Sequence, residues 1–204
     1  PPHNLCEVID GICHLIYNPE AEVIELMDFV KGPDFPTGGI VVNKNDLPEI
    51  YETGVGKVRL RGRTEIEKGR AGHINLVITE IPYQVNKEVL VGTIRDLARD
   101  KKIDGIADIN DESDYKGMRI VIKLKKDAIP QIVLNHLYSL TELQETVGAM
   151  MLALDGGVPK VMDLKTMLQK YIDHQCEVLE RRTRFDLKKA LERQHLLEGL
   201  KIAC

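Results

Sequence analysis

Residues 163 to 204 carry a helical pattern that cannot be satisfied within itself. Leu164, Leu168, Ile172, Leu179, Leu187, Ala190, Leu197 and Leu200 recur at spacings of mostly three, four or seven, between heavily charged flanks. That is the narrow apolar seam of a coiled coil. Asp163 stands at the N-cap position, and at 1.5 Å per residue the stretch forms a rod of about 60 Å. Such a rod buries its stripe only against a second helix, and the sequence stops before supplying one. The chain opens on Pro1-Pro2-His3-Asn4 with no Met and ends in LEGLKIAC with the helical pattern still running. Both ends read as cuts in a longer protein.

The rest divides in two. Residues 1–55 read as helices and loops. Asn4 and Glu7 occupy capping-box positions, and Leu5, Val8, Ile9, Ile12, Leu15 and Ile16 form a helical stripe that Asn18-Pro19 ends. A short helix over 22–30 follows, then the rigid connection KGPDFPTGGIVV into a short strand, then a helix over 46–52 stopped by Gly54 and Gly56. Residues 56–161 read as α+β. Strands are expected at 56–67, 72–81, 105–110, 118–125, 141–148 and 149–154, and helices at 86–101 and 128–138. Lys68-Gly69-Arg70-Ala71-Gly72 joins the first two strands as a hairpin loop. The fold class is an α+β unit, its mixed or antiparallel sheet flanked by helices, followed by one long coiled-coil helix over 162–204.

The segment KVRLRGR, residues 57–63, places a cation at every second position. On a strand, period two sends Lys57, Arg59, Arg61 and Arg63 to one face and Val58, Leu60 and Ile66 to the other, toward a core. Like charges on one face repel, and Glu65 and Glu67 share their parity and could offset them. A solvated face of an antiparallel sheet accounts for the row. So does a surface that tracks phosphates, since a guanidinium meets a phosphate through two parallel hydrogen bonds. The chain's net charge of −4 does not oppose this, because a local patch sets the local field.

Other features carry less. Cys6, Cys13, Cys176 and Cys204 form no CxxC pair. Cys6 and Cys13 lie about 10 Å apart on a helix, too far for a disulfide, so packed thiols in a reducing cytosol are expected. The run Asp108-Ile109-Asn110-Asp111-Glu112-Ser113-Asp114 lacks the glycine of an EF-hand loop and reads as a solvated turn. His3, His14, His73, His136, His174 and His195 show no ligand spacing. No GxSxG, HExxH, Walker A or GxGxxG motif appears, and no stretch has the length of a membrane span.

Taken together, PPHNLCEVIDG (1–11), GPDFPTGGI (32–40), YETGVGKVRLRGRTEIE (51–67), ITEIPYQVNK (78–87), DKKIDGIADINDESDYKGMRIVIKLKKDA (100–128), LNHLYSLTELQ (134–144) and RRTRFDLKKALERQHLLEGL (181–200) resemble the A subunit of the bacterial type IIA DNA topoisomerases. The family comprises DNA gyrase and topoisomerase IV. EIPYQVNK and MLALDGGVPKV (151–161) lean toward the gyrase branch. The resemblance implies that residues 1–55 lead from a winged-helix domain into the tower domain. It makes residues 56–161 the tower and 162–204 the first arm of an antiparallel coiled coil. It implies a cytoplasmic enzyme in which two A subunits join two B subunits and pass one duplex through another at the expense of ATP.

In that family a tyrosine directly after an arginine attacks the phosphodiester. Tyr17, Tyr51, Tyr83, Tyr115, Tyr138 and Tyr171 follow Ile, Ile, Pro, Asp, Leu and Lys. The resemblance therefore places the nucleophile, and the isoleucine wedge that kinks the DNA, upstream of Pro1. It assigns Mg²⁺ and ATP to the gyrase B subunit, leaving this chain without a cofactor or catalytic residue of its own. What remains for it is double-stranded DNA held by Lys57, Arg59, Arg61 and Arg63 through phosphates, without sequence readout. His3 and Asn4 would approach the backbone near the wedge, and Lys87 is either a phosphate contact at a helix start or a surface lysine.

Two other readings stand beside this one. Residues 72–148 follow the order β-α-β-β-α-β of a ferredoxin-like unit, which also serves RNA-binding and regulatory modules. Its strand Met118-Arg119-Ile120-Val121-Ile122-Lys123 lacks the stacking aromatics of an RNA-binding version. A purely structural scaffold with solvated arginines is the other.

Overall fold

The computed structural model describes residues 1–69, 72–115 and 117–203. Helix α1 (Leu5–Tyr17) starts where Asn4 Oδ1 accepts the N–H groups of Cys6 and Glu7 at 3.0 and 3.3 Å. The capping box is half made, because the Glu7 carboxylate accepts from the Lys31 N–H instead. Helix α2 (Val23–Leu26) is a single turn rather than the longer helix expected over 22–30. After strand β1 (Ile40–Val41) and a 3₁₀ turn at Lys44–Asp46, helix α3 (Leu47–Thr53) ends on Gly54, whose φ of 74° suits a residue without Cβ.

The next elements are strands β2 (Val55–Arg61), β3 (Arg63–Lys68) and β4 (Ile74–Glu80), helix α4 (Lys87–Arg99), strands β5 (Ile106–Asp111) and β6 (Ile120–Leu124), and helix α5 (Pro130–Leu140). Strands β7 (Gln144–Met150), β8 (Leu152–Asp155) and β9 (Val158–Val161) lead to helix α6 (Leu164–Ala203). Asn86 caps α4 as its position predicts, and Asp163 accepts from the Thr166 N–H and hydroxyl at the start of α6. Strand β9 adds to the strands expected. The hairpin loop expected at 68–72 includes Arg70 and Ala71, which lie outside the described residues, as does Cys204.

The strand expected at 56–67 is two strands in two sheets. β2 is the middle of an antiparallel sheet of order β1-β2-β7, and β3 is an edge of a second antiparallel sheet of order β3-β4-β6-β5. The break falls at Gly62. A Cβ there would stand 2.6 Å from Leu143 Cδ1 and 2.7 Å from the Glu80 carbonyl oxygen, so only glycine lets the chain cross between the sheets at this point. Its N–H donates to the Leu143 carbonyl at 2.8 Å.

The same crossing overturns the ferredoxin-like order. β4, α4, β5 and β6 form the split unit as expected, but β7 leaves to pair with β2, and β3 takes the edge beside β4. Ile66 is a further correction. It lies opposite Leu76 on the helix-covered side of its sheet, yet at this edge it stays 55% exposed.

Two apolar cores result. One is built wholly between Gly62 and Leu143: Leu76, Ile78, Ile120 and Ile122 of the second sheet pack on Leu90 and Ile94 of α4 and Leu134 and Leu137 of α5. The other gathers Leu15, Leu26, Val30, Leu47, Ile50 and Tyr51 against Val58 and Leu60 of β2, with Leu164 and Leu168 of α6 closing it. Beyond that anchorage α6 leaves the body, and from Leu179 to Ala203 every residue is exposed. No described helix is long and apolar enough to cross a membrane.

Candidate nucleic-acid interface

The register of β2 against β7 builds the cation row. Lys57 stands opposite Gly148, Arg59 opposite Thr146 and Arg61 opposite Gln144. Cross-strand partners share a face, so no carboxylate lies across from any of the three. Val58 and Leu60 point the other way and are buried, as the alternation predicts. The carboxylates expected to offset the row do not reach it. Glu67 binds Arg119 through both oxygens, at 2.9 and 2.7 Å, and Glu65 is carried off on β3. The Arg119 guanidinium holds the Glu67 carboxyl below its ordinary range.

The four predicted cations have three different environments. Lys57 and Arg59 are exposed, and among the described residues their side chains make no hydrogen bond or ion pair. Their backbone is fixed all the same: Asn43 Nδ2 donates to the Lys57 carbonyl and Asn43 Oδ1 accepts from the Arg59 N–H, both at 2.7 Å. Asn43 thus extends the short β1 ladder with a side chain, and nothing in the sequence singled it out. Arg61 is half-buried. Its Nε and Nη2 donate to Gln144 Oε1 at 3.1 and 2.6 Å, and its guanidinium lies 4.2 Å from the centre of the Tyr138 ring. Arg63 is not in the row. It sits beyond the Gly62 crossing on β3, where its Nε donates to Glu80 Oε1 at 3.0 Å.

The other residues considered from sequence are engaged internally. His3 Nε2 lies 2.7 Å from the Tyr51 hydroxyl and Nδ1 3.0 Å from the Pro1 carbonyl. Burial lowers the His3 pKa and raises that of Tyr51. Asn4 caps α1 and donates to Asp34. Lys87 is neutralised by Asp111 at 2.7 Å. That carboxyl is pulled down to about 2 by Lys87, with Ser113 assisting. The acidic run forms the end of β5 and a turn, and no group of three metal-binding side chains occurs among the described residues. Cys6, Cys13 and Cys176 are free, but exposed rather than packed.

The family of the DNA gyrase/topoisomerase IV A subunit matches residues 1–204. The chain is 58% identical over 203 residues to the DNA gyrase A subunit of Clostridium acetobutylicum, covering all of this chain and 24% of that protein. It is 50% identical over 204 residues to the corresponding protein of Staphylococcus epidermidis and 51% over 207 residues to that of Synechocystis, covering 23% and 24% of those proteins. The chain therefore spans about a quarter of the length of these relatives. An α+β body of antiparallel sheets that projects one long helix agrees with this match, and the chain belongs to the DNA gyrase/topoisomerase IV A-subunit family.

Proposed function

We propose that this chain supports bent duplex DNA within the A subunit of an ATP-dependent type II DNA topoisomerase, of the gyrase branch. The observation that carries the proposal is the open face of β2, where exposed Lys57 and Arg59, unpaired among the described residues, stand in line with Arg61 and no carboxylate lies opposite them on β7. Phosphates repeat along a duplex, and a row of cations on a rigid sheet meets them without reading sequence. Smoothly bending a site costs about 1–6 kcal/mol, which such contacts offset. Arg63 joins the row only by leaving Glu80.

The gyrase relatives favour that branch over topoisomerase IV. In this assignment the B subunit supplies Mg²⁺ and ATP, and a second copy of the A subunit completes the complex. The exposed seam of α6 is the arm that joins the body to the dimerising gate, and the chain holds DNA without cutting it.

Fluorescence anisotropy of a labelled duplex between 25 and 200 mM salt tests this. Three phosphate contacts give a log–log slope of at most about −2.7, and Lys57→Ala with Arg59→Ala should remove about 1.8 of it. Arg63→Ala should change it little. Binding that is absent, or indifferent to Lys57 and Arg59, would make the row a solvated face.

A further inference from the structure

Arg61 differs from its neighbours in being held from two directions. Gln144, opposite it on β7, takes up the edge formed by Nε and Nη2. The guanidinium carbon lies over the face of the Tyr138 ring, which comes from α5. Tyr138 is itself tied to the second sheet, its hydroxyl 2.9 Å from that of Thr64 on β3. These groups converge where the chain crosses between the sheets, one residue before Gly62 and one after Leu143.

This arrangement restricts which donors remain. A guanidinium has five N–H groups in a fixed fork. With Nε–H and one Nη2–H committed to Gln144, the edge bearing one N–H from each Nη is left, and its two parallel donors match two oxygens of a phosphate. Gln144 is neutral, so Arg61 keeps its full charge while losing its freedom to reorient. Among the described residues Lys57 and Arg59 have no side-chain partners, and they must give up rotamer entropy on contact. Arg61 has already given it up.

We propose that Arg61 is the fixed phosphate anchor of the row, and that Gln144 and Tyr138 are the residues that position it. Lys57 and Arg59 supply attraction and Arg61 supplies geometry. This rests on the DNA-binding role proposed above and adds that the row is not three equivalent charges.

The test separates charge from orientation. Arg61→Lys and Gln144→Ala both keep the positive charge at position 61 but lose the held fork. Each should weaken duplex binding about five- to tenfold, as expected when one hydrogen bond is lost and the charge is kept, with the salt slope unchanged. Tyr138→Leu removes the ring and should weaken binding as Gln144→Ala does. Gln144→Glu neutralises Arg61 and should reduce the slope by about 0.9. Far-UV circular dichroism and melting temperature report whether each variant is folded. If the parent chain binds and responds to Lys57→Ala with Arg59→Ala, while folded Arg61→Lys and Gln144→Ala bind as tightly as the parent, the anchor is overturned and the wider proposal stands. If the parent shows no salt-sensitive binding, the wider proposal falls and the anchor with it.

Discussion

Gly62 decides more than any charged residue in its segment. Its missing side chain lets β2 and β3 enter different sheets, and it fixes which cations stay in line. Gly62→Ala should destabilise the chain by about 1–3 kcal/mol, as overpacking does in a close-packed site, measured by urea unfolding. The alternation of Lys57, Val58, Arg59, Leu60 and Arg61 was legible because period two is a local property of a strand. The crossing was not, since a glycine in a strand pattern signals a close approach without saying to what. Nor were the partners of Arg61 and Arg63, because Gln144 and Glu80 are brought in by tertiary register.

Asp111 is held at about 2, below its ordinary 3.8, chiefly by Lys87. A depressed carboxyl contributes stability that is complete above 3.8 and is lost as pH falls from there toward 2. The pair is partly exposed, with 38% of the Asp111 side chain accessible, so its contribution stays within about 1 kcal/mol. Lys87→Met should flatten the fall in melting temperature between pH 4 and pH 2 and leave the rest of the profile in place.

At the scale of elements, local signals served best where one residue acts on its own neighbours. Asn4, Asn86 and Asp163 each accept the N–H groups that their positions predicted. The long helix was visible from its seam, but not the depth of its anchorage. Leu168 is 5% exposed in the core it shares with Val58 and Leu60 of β2, and Leu187 is 58% exposed on the free arm. Leu168→Ala should therefore cost about 2–5 kcal/mol. Leu187→Ala should change stability by less than about 0.5 kcal/mol in this chain, and paired thermal melts check both. The ferredoxin-like order failed at β7, because the sequence of element types is the same whichever sheet the last strand joins.

For the molecule as a whole, the two cores are nested rather than consecutive. One is made entirely of residues between Gly62 and Leu143, and the chain on either side of that stretch returns to complete the other. Arg61 and Gln144 meet although 83 positions separate them. Bringing together the ends of a flexible loop costs entropy that grows with the logarithm of its length. Once the inner core has formed, its two ends already lie within one hydrogen bond of each other, through the Gly62 N–H and the Leu143 carbonyl. β2 and β7 are then joined across a short link instead of a long loop. The outer sheet, with its row of cations, inherits its alignment from a body whose side chains lie almost wholly elsewhere, and loop entropy favours assembly from the inside of the sequence outward.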